Sequence, residues 1–100
     1  MAEILERLRR LPGVEKVVLF SSTGVPVASE DSLVVAAVSA VVVDSSAHLM
    51  QELSADYSYT VVASSNGVAA LLLKLSEDLY ATLLVKKEHL PRVLEKLNMC

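Results

Sequence analysis

Apolar residues recur along the chain with two alternating periods, which predict helices and strands in turn. Near the amino terminus, isoleucine and leucine recur at helical spacing until Pro12-Gly13, which ends that helix. Five valine-rich or leucine-rich segments separated by turn residues are typical of strands: Val14–Ser21, Val25–Ser29, Tyr57–Ser65, Val68–Leu75 and Leu79–Lys86. Val68–Leu75 is apolar on both faces and is therefore predicted to be a central strand. A closing helix is predicted from Glu88 to about Asn98, with Pro91 in its first turn.

The segment from Leu33 to Leu53 contains neither glycine nor proline. Its many valines favour a strand, but about 20 residues would be well beyond the usual strand length, so we predict a helix. The predicted order is αββαβββα in a single α+β domain spanning residues 1–100. We expect a five-stranded antiparallel sheet, with the long helix on one face and the two terminal helices on the other.

The long helix changes character along its length when its residues are placed on a helical wheel. In its carboxy-terminal half the polar residues share one arc: Asp44, Ser45, His48, Gln51 and Glu52. In its amino-terminal half the same arc is apolar: Leu33, Val34, Ala37 and Val41. A helix that packs on one sheet buries a single stripe of its surface. Another element must therefore pack on this apolar arc to remove it from water.

Two different elements that could pack on this apolar arc are compatible with the sequence. A second copy of the same helix would make the chain a dimer through these four apolar residues, with small side chains at Ala37 and Ala40 allowing two backbones to approach closely. Alternatively, the terminal helices or a loop of the same chain would lie over this side. We expect the dimer, because both terminal helices are short.

A second hint of an interface comes from the strand predicted after the long helix. Alternation places Tyr57 and Tyr59 on one side of it, and it lacks the lysine and proline that commonly protect an edge. Such an edge could pair with its symmetry mate and give one continuous sheet across a two-fold axis. We therefore add Tyr57, Tyr59 and Val61 to the expected interface. The alternative is a protected or twisted edge.

Composition agrees with an interface and excludes other classes. Apolar residues make up 53% of the chain, only 4% are aromatic and there is no tryptophan, so the excess is valine, leucine and alanine. A net charge of −3 does not favour nucleic-acid binding. The longest near-continuous apolar run, Leu33–Val43, has 11 residues, whereas a membrane span needs about 20. With no visible signal peptide, we expect a cytoplasmic protein without membrane insertion.

No residue pattern indicates catalysis. His48 and His89 are the only histidines, and neither has a second close ligand that would make a zinc motif. The single cysteine, Cys100, is the last residue. The acidic pairs Glu30-Asp31 and Glu77-Asp78 are typical of turns and caps. Each of the three glycines serves a turn, and no phosphate-binding loop is present. We expect no enzyme activity, cofactor or metal.

One segment resembles a known family. Leu8–Val14 leads into a valine-rich strand, and Ser21–Ser29 (SSTGVPVAS) is similar to the D-x-x-G-x-P-I-A-S hairpin of the Roadblock/dynein light chain family. The resemblance extends to the long helix, to the Asn66-Gly67 hairpin and to Leu79–Leu90, and so covers essentially the whole chain.

The chain departs from the family pattern at two places. Around Ser22 the family often has aspartate, and at Pro91 a glycine is common. The resemblance implies a profilin-like Roadblock fold and dimers made by pairing the long helices and the third strands. It also implies a non-catalytic platform, of which some members regulate small Ras-like GTPases, as in the bacterial gliding-motility switch.

From this resemblance we expect a homodimer, or a heterodimer with a paralogue, that binds a small GTPase. The partner would face the polar arc of the long helix: Asp44, Ser45, His48, Gln51 and Glu52. Two alternatives remain: a small-molecule-binding sensory module using Tyr57, Tyr59, Tyr80 and Thr82, or a purely structural scaffold subunit.

Overall fold

Three helices and four strands lie within residues 2–27 and 32–98, the part of the chain that this computed structural model describes. They are α1 (Ala2–Arg9), β1 (Val14–Phe20), α2 (Leu33–Glu52), β2 (Tyr59–Ala63), β3 (Val68–Ser76), β4 (Leu79–Lys86) and α3 (Leu90–Lys96). A single 3-10 turn, Lys87–His89, leads into α3. The long valine-rich segment is a helix, as its length predicts.

The four strands form one antiparallel sheet in the order β1-β4-β3-β2. The central position of β3 is confirmed; it follows from apolar side chains on both of its faces. β2 and β3 are joined at Asn66-Gly67, where Gly67 has a φ of +91° that an L side chain rarely adopts. β2 is an edge strand of this sheet.

The prediction of five strands is wrong for the described residues. The sequence predicts a strand at Val25–Ser29, but the described part of this segment makes only an isolated bridge between Phe20 and Pro26. Val27 N donates to Leu19 O at 2.9 Å, and Pro26 has no N–H with which to continue the ladder. Ala28, Ser29 and the predicted cap pair Glu30-Asp31 lie outside the described residues.

The helices divide between the two faces of the sheet as predicted. Leu5 and Leu8 of α1 and Val93 of α3 share one buried cluster with the side chains on the first face of the sheet. Ala36 and Val43 of α2 belong to a separate cluster on the opposite face, together with Val18, Phe20 and Leu72. The sheet therefore has a terminal-helix face and an α2 face.

Two hydroxyl pairs fix α2 on the sheet. Thr82 Oγ1 of β4 donates to Ser39 Oγ at 2.7 Å, and Thr60 Oγ1 of β2 donates to Ser46 Oγ at 2.9 Å. β4 and β2 lie two strands apart, or about 10 Å. Seven residues of helix also rise about 10 Å. The helix therefore runs across the strands, and its residues after Ser46 project beyond the edge strand β2.

The amino-terminal half of α2 is held by the turn that follows β1. Gly24 in this turn has a φ of +84°, and a Cβ there would lie 3.1 Å from the Ala37 backbone. The same turn is tied to the β3–β4 turn, because Asp78 accepts hydrogen bonds from the Ser22 hydroxyl and, at 3.0 Å, from Ser22 N. These bonds lower the pKa of Asp78 below its usual value.

Removing one hydroxyl of a pair between α2 and the sheet should destabilise the fold. We expect Ser39→Ala to lower the free energy of unfolding by about 1–2 kcal/mol, because it leaves the Thr82 hydroxyl without its partner in a mostly buried contact. The double variant Ser39→Ala/Thr82→Val should cost less than the sum of the two single changes. Denaturant unfolding of all four proteins measures this coupling.

The matched control for this cycle is Ser45→Ala, on the exposed side of the same helix. Its free energy of unfolding should change by no more than about 0.5 kcal/mol. Additive single and double variants would show that the hydroxyl pair contributes nothing to the seating of α2.

The Ser22–Asp78 bonds should make stability depend on pH in the acidic range. The pKa of Asp78 is lower in the folded state than in the unfolded state. The carboxylate therefore stabilises the fold fully above the unfolded-state pKa, about 4. This stabilisation is lost as the pH falls through the folded-state pKa of Asp78. In Ser22→Ala the pKa of Asp78 should rise toward its ordinary value, as measured by carboxyl NMR titration. Thr23→Val is the control, since Thr23 bonds Ser21 and not Asp78.

Candidate interaction surface on the long helix

The outward side of α2 in its amino-terminal half is apolar and open to solvent. Leu33 is 66% exposed, Val34 75% and Val41 65%, and Ala37 is also exposed. Only Ala36, Ser39 and Val43 of this helix are fully buried. No described residue of the terminal helices covers the outward side, because both of those helices pack on the opposite face of the sheet. We call the four exposed residues, Leu33, Val34, Ala37 and Val41, the apolar face of α2.

Two further exposed apolar side chains extend this face beyond the predicted set. Val38 is 57% exposed and lies next to the apolar face on the helical wheel. Leu49, in the polar half, is also exposed, because α2 there has passed the edge of the sheet that would otherwise cover it. The wheel places Val38 at the border of the arc, so sequence could have found it. The projection of the helix beyond β2 has no signal in the sequence.

The polar arc is a continuation of the apolar face toward the carboxy-terminal end of α2. All five of its predicted residues are exposed: Asp44, Ser45, His48, Gln51 and Glu52. His48 Nδ1 lies 3.7 Å from Asp44 Oδ2, one helical turn away. Since both side chains are well exposed, this contact contributes little to stability and leaves both groups available to a partner.

The edge strand β2 carries exposed apolar side chains on both of its faces. Val61 is opposite Leu71, on the terminal-helix face, and Val62 is opposite Ala70, on the α2 face. Val62 is 52% exposed and Val61 somewhat less. Within the described residues no strand lies beyond β2. The sequence correctly predicts this edge, although the strand begins at Tyr59 rather than Tyr57.

The prediction that Tyr57 and Tyr59 share one side is wrong. Tyr57 precedes the strand and packs on the α2 face, where its Oη lies 2.8 Å from Thr60 Oγ1, whereas Tyr59 packs on the terminal-helix face. Strand alternation does not apply at Tyr57, because the chain enters β2 from a reversal at Ser54, where φ is +56°. Both rings are only half-exposed, so Val61 is the most accessible of the three predicted edge residues.

Two of the four hydroxyls proposed for a ligand pocket, those of Tyr57 and Thr82, make hydrogen bonds within the fold. Tyr57 also donates to Leu72 O at 3.3 Å, and burial raises its pKa. Thr82 donates to Ser39, and the Tyr80 ring stacks on Phe20 with a centroid distance of 5.7 Å. A cavity of about 410 Å³ does lie under the projecting end of α2, against β2. Its most buried polar groups are already satisfied, which disfavours specific recognition of a small ligand.

Within residues 2–27 and 32–98, no three histidine, cysteine, aspartate or glutamate residues lie close enough together to hold a metal ion. His89 Nε2 lies 3.9 Å from the neighbouring Glu88 carboxylate, at the start of α3. Cys100 lies outside the described residues.

The helix α2 is long and apolar enough, by length and composition alone, to cross a membrane. Its 20 residues include a window with a mean hydropathy of 1.8. The argument from the 11-residue run therefore does not hold, because Ala47, Leu49 and Met50 extend the apolar character of the helix past Val43. In this fold the helix packs on the sheet, and its exposed apolar residues are concentrated in its first half.

Comparisons with known proteins agree with this architecture. The Roadblock/LC7 domain family matches residues 1–85. Among solved structures, Myxococcus xanthus MglB has a TM-score of 0.77 at 12% identity, covering 92% of this chain and 80% of that one. A Roadblock/LC7 domain from Streptomyces avermitilis has a TM-score of 0.75 at 14% identity, covering 98% and 94%.

A third solved structure, the gliding protein MglB from Thermus thermophilus, has a TM-score of 0.70 at 17% identity, covering 96% of this chain and 84% of that one. At these identities the structures show the shared fold. No curated protein matches the sequence. The family match spans 85 of the 100 residues and agrees with the α+β fold, and the chain therefore belongs to the Roadblock/LC7 domain family.

Proposed function

We propose that this protein is a non-catalytic dimeric adaptor that binds a small Ras-like GTPase and modulates its nucleotide cycle or its location. The observation that carries this proposal is the outward side of α2, on which an exposed apolar face continues directly into an exposed polar arc. The apolar face suits dimerisation with a second copy of this chain or with a paralogue, and the polar arc suits a partner that binds reversibly.

Self-association through α2 is supported by the exposed apolar side chains that it would bury. Leu33, Val34 and Val41 are each about two-thirds exposed or more, which is costly for valine and leucine that could be removed from water. Two α2 helices packed side by side could approach closely at Ala37, because the alanine side chain is small. The solved structures with this fold include an MglB in a tetrameric arrangement, so self-association occurs in a protein of similar fold.

The edge strand β2 offers a second candidate two-fold interface. Pairing of β2 with its mate would satisfy the outward backbone groups of both strands and join the two sheets. A two-fold axis perpendicular to the sheet would place both α2 helices on the same face of the joined sheet.

The GTPase assignment comes from the family resemblance, and the polar arc is the surface available for it. Its mixture of Asp44, His48 and Glu52 presents charge and hydrogen-bonding groups at the rim of the proposed dimer. Polar rims tune recognition and association rate more than they add affinity. No arginine is placed on α2, so the adaptor would act by positioning the partner's own catalytic groups.

Introducing a charge on the apolar face should dissociate the dimer. We expect the wild-type chain to sediment with roughly twice its 10.8 kDa mass. Val41→Glu should instead be a monomer or an aggregate, because two carboxylates would be buried against an apolar surface. Light scattering on a sizing column distinguishes these species.

Val27→Glu is the matched control, since Val27 is also exposed but lies beside β1 at the opposite edge of the sheet from β2. It should leave the dimer unchanged. An intact dimer in Val41→Glu contradicts helix pairing, and a monomeric wild-type protein contradicts both the helix and the strand interface.

Reversing charge on the polar arc should weaken the partner complex and leave the dimer intact. With small Ras-like GTPases of the same genome, those of neighbouring genes first, we expect the wild-type protein to bind one and to change its rate of GTP hydrolysis. Asp44→Lys/Glu52→Lys should weaken binding about tenfold. Binding is measured by calorimetry and hydrolysis by phosphate release.

A double charge reversal away from α2, Glu77→Lys/Glu95→Lys, is the control and should bind normally. Wild-type protein that neither binds nor affects an adjacent GTPase would contradict the adaptor assignment. Equal binding by both double variants would show that the partner binds outside the polar arc.

A further inference from the structure

A second open surface lies on the terminal-helix face of the sheet, where α1 and α3 leave a groove of about 300 Å³ between them. Its apolar lining comes from three parts of the fold: Ile4, Leu8 and Leu11 from α1 and the turn after it, Leu75 from β3, and Leu97 at the end of α3. Arg7 and Lys96 complete the lining.

The floor of this groove is part of the core, yet its upper part is open. Leu8 is buried, whereas the other four apolar residues are only partly buried and pack against the cluster beneath them. Helices as short as α1 and α3 cannot close over the sheet. An apolar side chain from outside would therefore enter a preformed recess and would contact leucine and isoleucine on several sides.

The charged side chains that line the groove are of one sign. Arg7 is contributed by α1 and Lys96 by α3, and among the described residues no carboxylate is part of the lining. Within residues 2–27 and 32–98 neither cation has a salt bridge or hydrogen bond, whereas nearby Arg9 lies 3.6 Å from Glu6. In a chain with a net charge of −3, two unpaired cations beside an apolar recess indicate an anionic and apolar ligand.

We propose that this groove binds an acidic amphipathic helix of a protein partner. Apolar side chains from one stripe of that helix would fill the recess, and carboxylates flanking the stripe would bind Arg7 and Lys96. This is the helix-in-groove mode of recognition, with anchors spaced at i, i+3 and i+4. The volume accommodates one or two large apolar anchors.

The groove is independent of the proposed dimer. It lies on the face of the sheet opposite α2, so pairing of α2 and β2 would leave it open. A dimer would carry two such grooves, both directed away from its helix layer. The adaptor could therefore hold a second protein while α2 holds the first.

The test uses the full chain with labelled isoleucine, leucine and valine methyl groups and two synthetic helices. One probe carries a leucine stripe at i, i+3, i+4 and i+7 flanked by glutamates, and the other has lysine at every glutamate position. We expect the glutamate helix to shift the methyl resonances of Ile4, Leu11 and Leu97. It should bind about tenfold more tightly than the lysine helix.

The variant Arg7→Glu/Lys96→Glu should invert this preference and bind the lysine helix more tightly, an outcome that also shows that the variant is folded. Arg9→Glu is the control, since Arg9 lies outside the groove and should keep the preference for the glutamate helix. Equal affinity for both helices, or shifts at Val34 and Val41 alone, would overturn the proposal. So would groove shifts that appear with rising protein concentration and no added helix, because the occupant would then be a second copy.

Discussion

The helix α2 contacts the sheet through a narrow stripe of fully buried side chains, and the rest of the molecule depends on this contact. Ala36, Ser39 and Val43 are its fully buried residues, and hydroxyl pairs from Ser39 and Ser46 fix where it lies. A long apolar helix held by so narrow a stripe leaves most of its surface outside the core. The terminal helices cannot cover that surface, because the other face of the sheet needs both of them. The interaction surface is thus a consequence of how three helices are shared between two faces.

The sequence allowed the architecture to be predicted where one local signal was decisive. Length distinguished helix from strand for α2, apolar residues on both faces placed β3 in the centre, and Asn66-Gly67 located a hairpin. The apolar face of α2 followed from the helical wheel. The predictions were wrong where contacts between distant parts of the chain determined the local structure. Pro26 reduces a predicted strand to one bridge, and the reversal at Ser54 puts Tyr57 on the opposite face from Tyr59. The projection of α2 past β2 depends on the crossing angle, which no local pattern encodes.

The two faces of the sheet differ in the kind of surface that they present. On the α2 face, the outward side of α2 exposes valine and leucine along the helix, which suits another extended helix. On the terminal-helix face, a small recess with Arg7 and Lys96 at its rim suits one anchored side chain and a carboxylate. Roadblock/LC7 membership accounts for the fold. The second arises from the particular residues of α1 and α3 in this chain.

The narrow contact of α2 also determines how the molecule should open. The strands and terminal helices share a dense cluster, whereas α2 adds few buried residues and its backbone is open to water along its outward side. Cooperative units with little buried apolar surface have the lowest opening free energies. We therefore expect the amide hydrogens of α2 to exchange before those of the sheet. A partner that covered the outward side would slow this exchange, so order in the long helix would then be a property of an assembly rather than of one chain.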